Sequence, residues 1–361
     1  MSTSQNKDSL FLKLAFQQAE INLGSTSSNP SVGCIIVKNN SVISSGKTSL
    51  CGRPHAEANA LKKKVNVNGS NIYVTLEPCS HYGKTPPCIK NIINKKVHKV
   101  IFSINDIDKR SGNLAFKKLK KAKINIKRFI HKNYAEKFYK SYFLQLTKKI
   151  PFIDVKLAVS KDYFTINRKK KWITNNISRK VGNFLRSKYD CIVSTSKTIN
   201  YDNSLLDCRI EGLEQKSPAV IIVDRFFKIK KKLKVFKNKS RKIYIFTQTN
   251  NTTKEVYFKK IGVNVVKLKK SDNLKTDLTE VYLLLKKLGF NRILVESGLK
   301  YINEILKYNL IKNFFLFKSY FPLKNNGMNN AELNLIKKLK TTIKNKVQIN
   351  LNNDSLHKIE L

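Results

Sequence analysis

Three short segments constrain this chain more than any other feature: Pro54-His55-Ala56-Glu57, Leu76-Glu77-Pro78-Cys79, and Cys88. One imidazole and two thiolates suit Zn²⁺ in mixed nitrogen and sulfur ligation, so any fold must bring these separated segments to one point. Three protein ligands leave the fourth tetrahedral position for water, as in a catalytic site. A structural site would want a fourth ligand. His81 is at hand, but it lies inside the loop between the cysteines. Both ligand groups are expected just after a proline at a helix start, where free N–H groups and the positive dipole end favour a thiolate. Glu57, two residues past the histidine, has no structural duty there. It would move protons between water, ring nitrogen and leaving amine, with the metal making that water acidic enough to react near neutral pH. His-x-Glu followed by Pro-Cys-x-x-Cys is the pattern of zinc nucleobase deaminases.

The chain has 361 residues, which suggests two domains. Its apolar share of 41% is enough for a real core and argues against disorder. Segments 10–15, 55–64, 89–94, 114–121 and 134–146 read as helices. Cys34–Val37 with Val42-Ile43 reads as a hairpin, and Asn71–Leu76 and Lys99–Ile104 read as strands. This alternation is an α/β layer pattern. Lys148-Lys149-Ile150-Pro151 breaks it, so the domains are placed at 1–147 and 148–361. In the second domain, strands are expected at 152–159, 191–194, 220–224, 243–246 and 293–296, and helices at 177–189 and 278–288. Residues 228–242 and 323–345 are rich in Lys and Asn and read as loops or solvated faces.

The net charge of +47 first suggests a polyanion partner. Only ten of the 71 basic residues are Arg, the residue suited to bidentate phosphate and base recognition, and the lysines are spread along the whole chain. Abundant Asn and Ile fit an A/T-rich codon bias, so the excess reads as background and nucleic acid is not the expected partner. A nucleic-acid deaminase with an appended basic domain is the rival reading. It predicts Cys-x-x-Cys spacing, whereas Ser80 to Pro87 separate the two cysteines here. No stretch is long and apolar enough to span a membrane, the first residues do not read as a signal peptide, and six cysteines form no disulfide framework. A cytoplasmic protein is expected. Cys34 reads as a core residue and Cys51 as a loop residue.

The long loop from Pro78 to Cys88, together with Asn29-Pro30-Ser31-Val32-Gly33-Cys34 and His55-Ala56-Glu57, closely resembles the bifunctional deaminase/reductase family of riboflavin biosynthesis. The resemblance covers nearly the whole chain. It implies a cytidine-deaminase-like three-layer α/β/α domain followed by a dihydrofolate-reductase-like α/β domain, with Zn²⁺ and NADPH as cofactors. A phosphorylated pyrimidine is the implied substrate, and a homo-oligomer is expected. By this match His55, Cys79 and Cys88 are zinc ligands, Glu57 is the proton shuttle, and Asn29 faces the pyrimidine. His81 and Lys84 lie in the loop over the substrate, where a cation suits a phosphate; Lys84 also reads as an ordinary surface lysine. The Gly-x-His of many family members is Gly46-Lys47-Thr48 here, so the histidine of one implied substrate contact is missing while the metal chemistry is untouched.

The second domain says less by itself. It has no Gly-x-Gly-x-x-Gly after a strand, so a Rossmann fold has no support. Val295-Glu296-Ser297-Gly298 reads either as a place where backbone approaches a phosphate or as a plain turn. The resemblance places Ala158, Trp172, Thr198, Asp202 and Gly298 near NADPH. It places Arg186, Leu206, Arg209 and Glu296 at the ribose-phosphate, with Lys156 as a polar helper. The residues alone allow Trp172 as a core aromatic and Arg186 as a solvated helix residue. Three departures stand out: Tyr163 after Asp162 where the family has glycine, Lys170 in place of a small polar residue, and Arg225 after Asp224.

Overall fold

The computed structural model describes residues 3–62, 65–147, 150–269, 274–331 and 346–361. The chain divides into two compact units, Met1–Lys149 and Ile150–Leu361. The first runs α1 (Thr3–Ile21), β1 (Gly33–Lys38), β2 (Ser41–Lys47), α2 (Ala56–Leu61), β3 (Asn71–Val74), α3 (Cys88–Asn94), β4 (Lys99–Phe102), α4 (Leu114–Lys121), β5 (Asn125–Arg128) and α5 (Lys132–Thr147). Its sheet has the order β2-β1-β3-β4-β5. The strand β1 runs antiparallel to β2 and β3, while β3, β4 and β5 are parallel.

Alternation along the strands builds three layers, because successive side chains point to opposite faces. Ile35, Val37, Tyr73 and Ile101 pack with Phe11, Leu12 and Ala15 of α1. Cys34, Ile36, Ile72, Val74, Val100 and Phe102 pack on the other face with Ala56, Ala60 and Leu61 of α2 and Ile89 and Ile92 of α3. The α1 helix approaches β1 so closely that only glycine fits at position 33. A Cβ there would lie 1.8 Å from the Ala15 carbonyl oxygen and 2.7 Å from the Ala19 nitrogen.

The second unit runs β6 (Phe152–Val159), β7 (Ile166–Asn167), α6 (Asn176–Arg186), β8 (Cys191–Thr195), α7 (Ser196–Asp202), β9 (Ala219–Val223), β10 (Ile243–Thr247), α8 (Thr252–Lys260), β11 (Val263–Lys267), α9 (Leu274–Lys287), β12 (Arg292–Val295), α10 (Leu299–Lys307), β13 (Asn313–Lys318), β14 (Gly327–Met328) and β15 (Ser355–Glu360). Its main sheet has the order β11-β10-β9-β8-β12-β6-β13-β15. All neighbours are parallel except β13 and β15. Both faces are buried. Val155, Val193, Ile221 and Phe246 pack with α9 and α10, and Ile192, Val220, Ile222 and Ile245 pack with Ile199 of α7 and Phe258 of α8. The chain reverses its direction of winding between β8 and β12, which opens a crevice at their carboxyl ends.

The strand at 152–159 and the helix at 114–121 fall where the sequence pattern puts them. The helix expected over 55–64 is shorter: it covers Ala56–Leu61, and residues 63 and 64 lie outside the described ones, as do 148, 149 and 332–345 of the expected linker and loop. Sequence periodicity missed β5, β7, α7, α8, β11, α10, β13, β14 and β15.

Gly33→Ala should lower the stability of the first unit by about 3 kcal/mol, because the overlap is with backbone and cannot be relieved by rotamer change. A shifted denaturant midpoint for that unit's transition, with the second unit's unmoved, is the expected result.

Candidate active sites

The ligand-bearing segments of the first unit meet at the carboxyl side of β3. His55 is the N-cap of α2, and Cys88 is the first residue of α3, after Pro87. Cys79 differs from expectation: it sits in the loop after β3, not at a helix start. Its sulfur still gains from a helix end, because the Cys88 backbone N–H donates to Cys79 Sγ at 3.2 Å. His55 Nδ1 lies 3.5 Å from each sulfur, and the three ligand atoms lie within 4.8 Å of one another. A tetrahedral ion with Zn–N of ~2.0 Å and Zn–S of ~2.3 Å sets an N···S separation of about 3.5 Å, so the donors fit zinc in kind and in spacing. They are the only such cluster among the described residues.

The electrostatics suit metal binding. The Cys79 thiol lies well below its usual range because it bonds Cys88, against burial, and because His55 is beside it. Cys88 is pushed up by sharing that bond and by burial. Glu57 is 3% exposed, two residues along α2, and close enough to bond the Cys88 thiol. Burial, and then the negative charge of Cys79, push its carboxyl up to about 7.

The loop between the cysteines is docked from outside. His81 Nδ1 is 2.9 Å from Ser111 Oγ, and Lys118 donates to the Ser80 carbonyl at 2.8 Å. The residue that organises this docking is Glu77, whose carboxylate accepts the backbone N–H of Asp106 and Asn113. Neither Ser111 nor Glu77 carries a metal-ligand signature, and sequence reading passed over both. Lys84 is exposed on the same loop. Asn29 donates to the Gly52 carbonyl at 2.7 Å, which ties its turn to the segment leading into His55. Thr48 is 1% exposed. Its hydroxyl accepts the Val32 N–H and donates to the Pro30 carbonyl, so this residue braces the Asn29-Pro30 turn from within the fold. Cys34 is buried and Cys51 exposed.

In the second unit the crevice between β8 and β12 is lined by hydroxyls. Thr195 Oγ1 lies 3.0 Å from Thr198 Oγ1 and 3.1 Å from Ser297 Oγ, and the Gly298 N–H donates to Thr198 Oγ1. Gly298 is the N-cap of α10, which has no side-chain cap of its own. Orphan N–H groups and hydroxyl donors at a topological switch point fit a phosphorylated dinucleotide. Position 298 is thus a helix start, not a plain turn.

Beside the crevice, Arg186 grips Glu296 with both edges, Nε to Oε1 at 2.6 Å and Nη2 to Oε2 at 3.0 Å. Lys156 Nζ stands 3.6 Å from Glu296 Oε2. Burial alone would raise the Glu296 carboxyl, but the two cations overcome it and hold it at about 2. Arg186 also donates to Asn183 Oδ1 and to the Asp207 carbonyl, so this guanidinium is already engaged. Arg209 pairs with Asp207 and leaves 44% of its side chain exposed. The Leu206 side chain is in the core, so only its backbone can face a ligand. Ala158 packs with Phe317 and Leu351. Asp202 ends α7 within charge range of Lys171 and Lys156. Trp172 is 52% exposed and not a core residue; Arg179 and Lys171 lie over its ring.

The three departures have local accounts. Tyr163 holds the turn at φ 69°, a left-handed conformation that favours glycine. Its ring is covered by Lys318, which also donates to its hydroxyl at 3.1 Å, while Asp162 accepts the N–H groups of Leu323 and Lys324. Lys170 is exposed, with only its backbone N–H bonded, to Asn167. Arg225 bonds Gln248 and pairs with Asp277, so its side chain is drawn toward β10 and α9.

Taken together, fold and site define a zinc-dependent deaminase joined to a reductase of the dihydrofolate-reductase type. The family model described as the cytidine and deoxycytidylate deaminase zinc-binding region matches residues 5–104, and that of the RibD C-terminal domain matches residues 151–319. The chain is 33% identical over 327 residues to the riboflavin biosynthesis protein RibD of Buchnera aphidicola, and 31% identical over 313 residues to that of Aquifex aeolicus, with 86% of each chain covered in both cases. The solved diaminohydroxyphosphoribosylaminopyrimidine deaminase/5-amino-6-(5-phosphoribosylamino)uracil reductase of Thermotoga maritima aligns over 99% of each chain at 25% identity with a TM-score of 0.81. Acinetobacter baumannii RibD shares the fold at the same TM-score and 24% identity. The chain belongs to the RibD family, the bifunctional deaminase/reductases of riboflavin biosynthesis, with zinc and NADPH as cofactors. No helix among the described residues is long and apolar enough to cross a membrane.

The depressed Glu296 carboxyl sets a pH signature. Its folded value of about 2 lies below the ordinary 4.5, so its stabilising effect is full above pH 4.5 and is lost as pH falls toward 2. The stability of the unmodified protein should therefore fall between pH 5 and pH 2.5 by about 2 kcal/mol more than that of Glu296→Gln. Denaturant unfolding of both proteins at pH 5 and pH 2.5 checks this.

Proposed function

We propose that the first unit hydrolyses the ring amine of a diaminopyrimidine ribosyl-phosphate, and that the second reduces C1 of the ribosyl group to give a ribityl chain. The observation that carries the reading is a three-ligand His/Cys/Cys cluster with a buried carboxylate, Glu57, beside it that is not itself a ligand. His55, Cys79 and Cys88 hold the zinc, which when bound supplies a Lewis acid that makes water nucleophilic near neutral pH. Glu57 takes one proton from water and gives it to the ring nitrogen, then carries the second from the added hydroxyl to the departing amine, which leaves as ammonia. Asn29 faces the pyrimidine, while His81, oriented by Ser111, and Lys84 close the loop over it.

In the second unit NADPH supplies the hydride. Thr198, Gly298 and Asp202 hold the cofactor with Ala158 and Trp172, and the hydroxyls of Thr195 and Ser297 join them. Glu296 stays anionic, clamped by Arg186, and keeps Lys156 beside the reacting carbon. Arg209, with the Leu206 backbone, meets the ribose phosphate. The chemistry needs little more than the nicotinamide placed beside that carbon. Sparse free cysteines support a cytoplasmic site of action, and we infer a homo-oligomer, to be checked by mass measurement in solution.

The test supplies zinc-loaded protein with the pyrimidine substrate and follows ammonia release, then NADPH oxidation. Both signals in that order are expected; ammonia alone would confine the activity to the first unit, and neither would overturn the reading. Glu57→Gln should lower ammonia release by about 10²–10⁴-fold. It should retain bound zinc and leave reduction of the deaminated substrate intact.

A further inference from the structure

One buried guanidinium in the second unit takes no part in the chemistry described above. Arg241 is 9% exposed. It donates from Nη1 to the Leu206 carbonyl and from Nη2 to the Leu205 carbonyl, and its Nη1 also reaches the Pro218 carbonyl at 3.5 Å. These bonds grip a turn with an unusual backbone. Leu206 has φ 54°, a left-handed conformation that costs a leucine about 1 kcal/mol. Its side chain is 4% exposed in the core, so the strain does not serve to display it.

The strain serves the residues that follow. With the carbonyls of Leu205 and Leu206 turned inward onto Arg241, the Asp207 carbonyl lies on Arg186. The Cys208 N–H is held by Ser217 Oγ at 3.1 Å, and Arg209 emerges at the outer end of the turn, paired with Asp207. The planar fork of arginine can bond two successive carbonyls at once, whereas lysine offers a single point charge on a flexible stem. Arg209 pairs with the Asp207 carboxylate, and Arg186 and Arg241 lie within charge range of it. Burial and the two other arginines draw Arg241 down to about 10, which still leaves it charged at neutral pH.

We propose that Arg241 is a positioning residue of the reductase: by bracing the Leu205–Cys208 turn it aims Arg209 at the substrate's phosphate. The inference rests on the reading above, in which Arg209 meets that phosphate, and the experiment separates the two. Reductase kinetics are measured with NADPH and two acceptors, the deaminated pyrimidine ribosyl-phosphate and its dephosphorylated form. Arg209→Ala tests the underlying reading. It should erase the preference for the phosphorylated acceptor; if the preference persists, the phosphate is bound elsewhere and the reading fails. Given that loss, Arg241→Lys should raise KM for the phosphorylated acceptor by about tenfold while kcat stays within about twofold. It should leave kcat/KM for the dephosphorylated acceptor unchanged. Equal losses on both acceptors, or unmodified kinetics with a lowered Tm, would mean a purely structural residue and overturn the proposal. Should Arg241→Lys fail to fold, Ser217→Ala loosens the same turn at Cys208. A KM rise confined to the phosphorylated acceptor is then expected, and no change would overturn the proposal.

Discussion

Burial of both faces of a sheet decides where chemistry can occur in each unit. A strand covered on both sides by helices has no side chain free to meet a ligand along its length. Reactive groups must then lie where the strands end. In the first unit Cys79 follows β3, and the Asp106–Ser111 loop that docks His81 follows β4. In the second, Thr195 ends β8, Glu296 and Ser297 follow β12, and the Ser160–Tyr163 turn follows β6. The two units take unlike cofactors, yet the same packing constraint leaves the groups assigned to a ligand near strand and helix ends or in the loops between them, Lys156 and Ala158 of β6 excepted.

The second common feature is charge buried against its solvation penalty. In the first unit, burial and the negative charge of Cys79 outweigh the opposing pull of His55, and the Glu57 carboxyl rises. Glu296 is also buried, but Arg186 and Lys156 outweigh the penalty and its carboxyl falls. The same residue type is therefore set to opposite tasks by its neighbours: one carboxyl able to exchange a proton, the other a fixed anion that orders two cations. Bidentate geometry matters to the second case, since a guanidinium engaged at both edges cannot rotate away.

How much of this was readable beforehand follows from the chemistry. Zinc ligation demands rare residue types, so His55, Cys79 and Cys88 were legible without coordinates, and their separation already implied a loop rather than a Cys-x-x-Cys turn. Several strands were legible for a different reason: short apolar, β-branched runs such as Ile192-Val193 and Ile221-Ile222 are bounded by polar residues. The crevice proposed for the cofactor was legible only through the resemblance, which put Thr198 and Gly298 there, because its hydroxyls and backbone N–H groups are of kinds that every loop contains. Ser297 acquires meaning only when β8 and β12 lie side by side. Strands such as β13 and β15 escaped because β13 lacks strict alternation and β15 is interrupted by polar residues. Leu206 marks another limit. Its place in the family motif drew notice, but the relevant property is its backbone conformation, which no side-chain pattern encodes.

The net charge of +47 takes on a different meaning once the arginines are located. Lysines are scattered, and many lie over aromatic rings or in solvent, as Lys231 does over Tyr257 and Lys307 over Tyr308. Several of the scarce arginines use the planar fork as well: Arg186 grips Glu296, Arg241 two carbonyls, Arg110 Asp108, and Arg209 both Asp207 and Asn183. A drift toward lysine would replace arginine wherever a point charge suffices. Such arginines stand where two directed bonds are made at once, and in a chain so rich in lysine an arginine of this kind is a better guide to a constrained position than the charge itself.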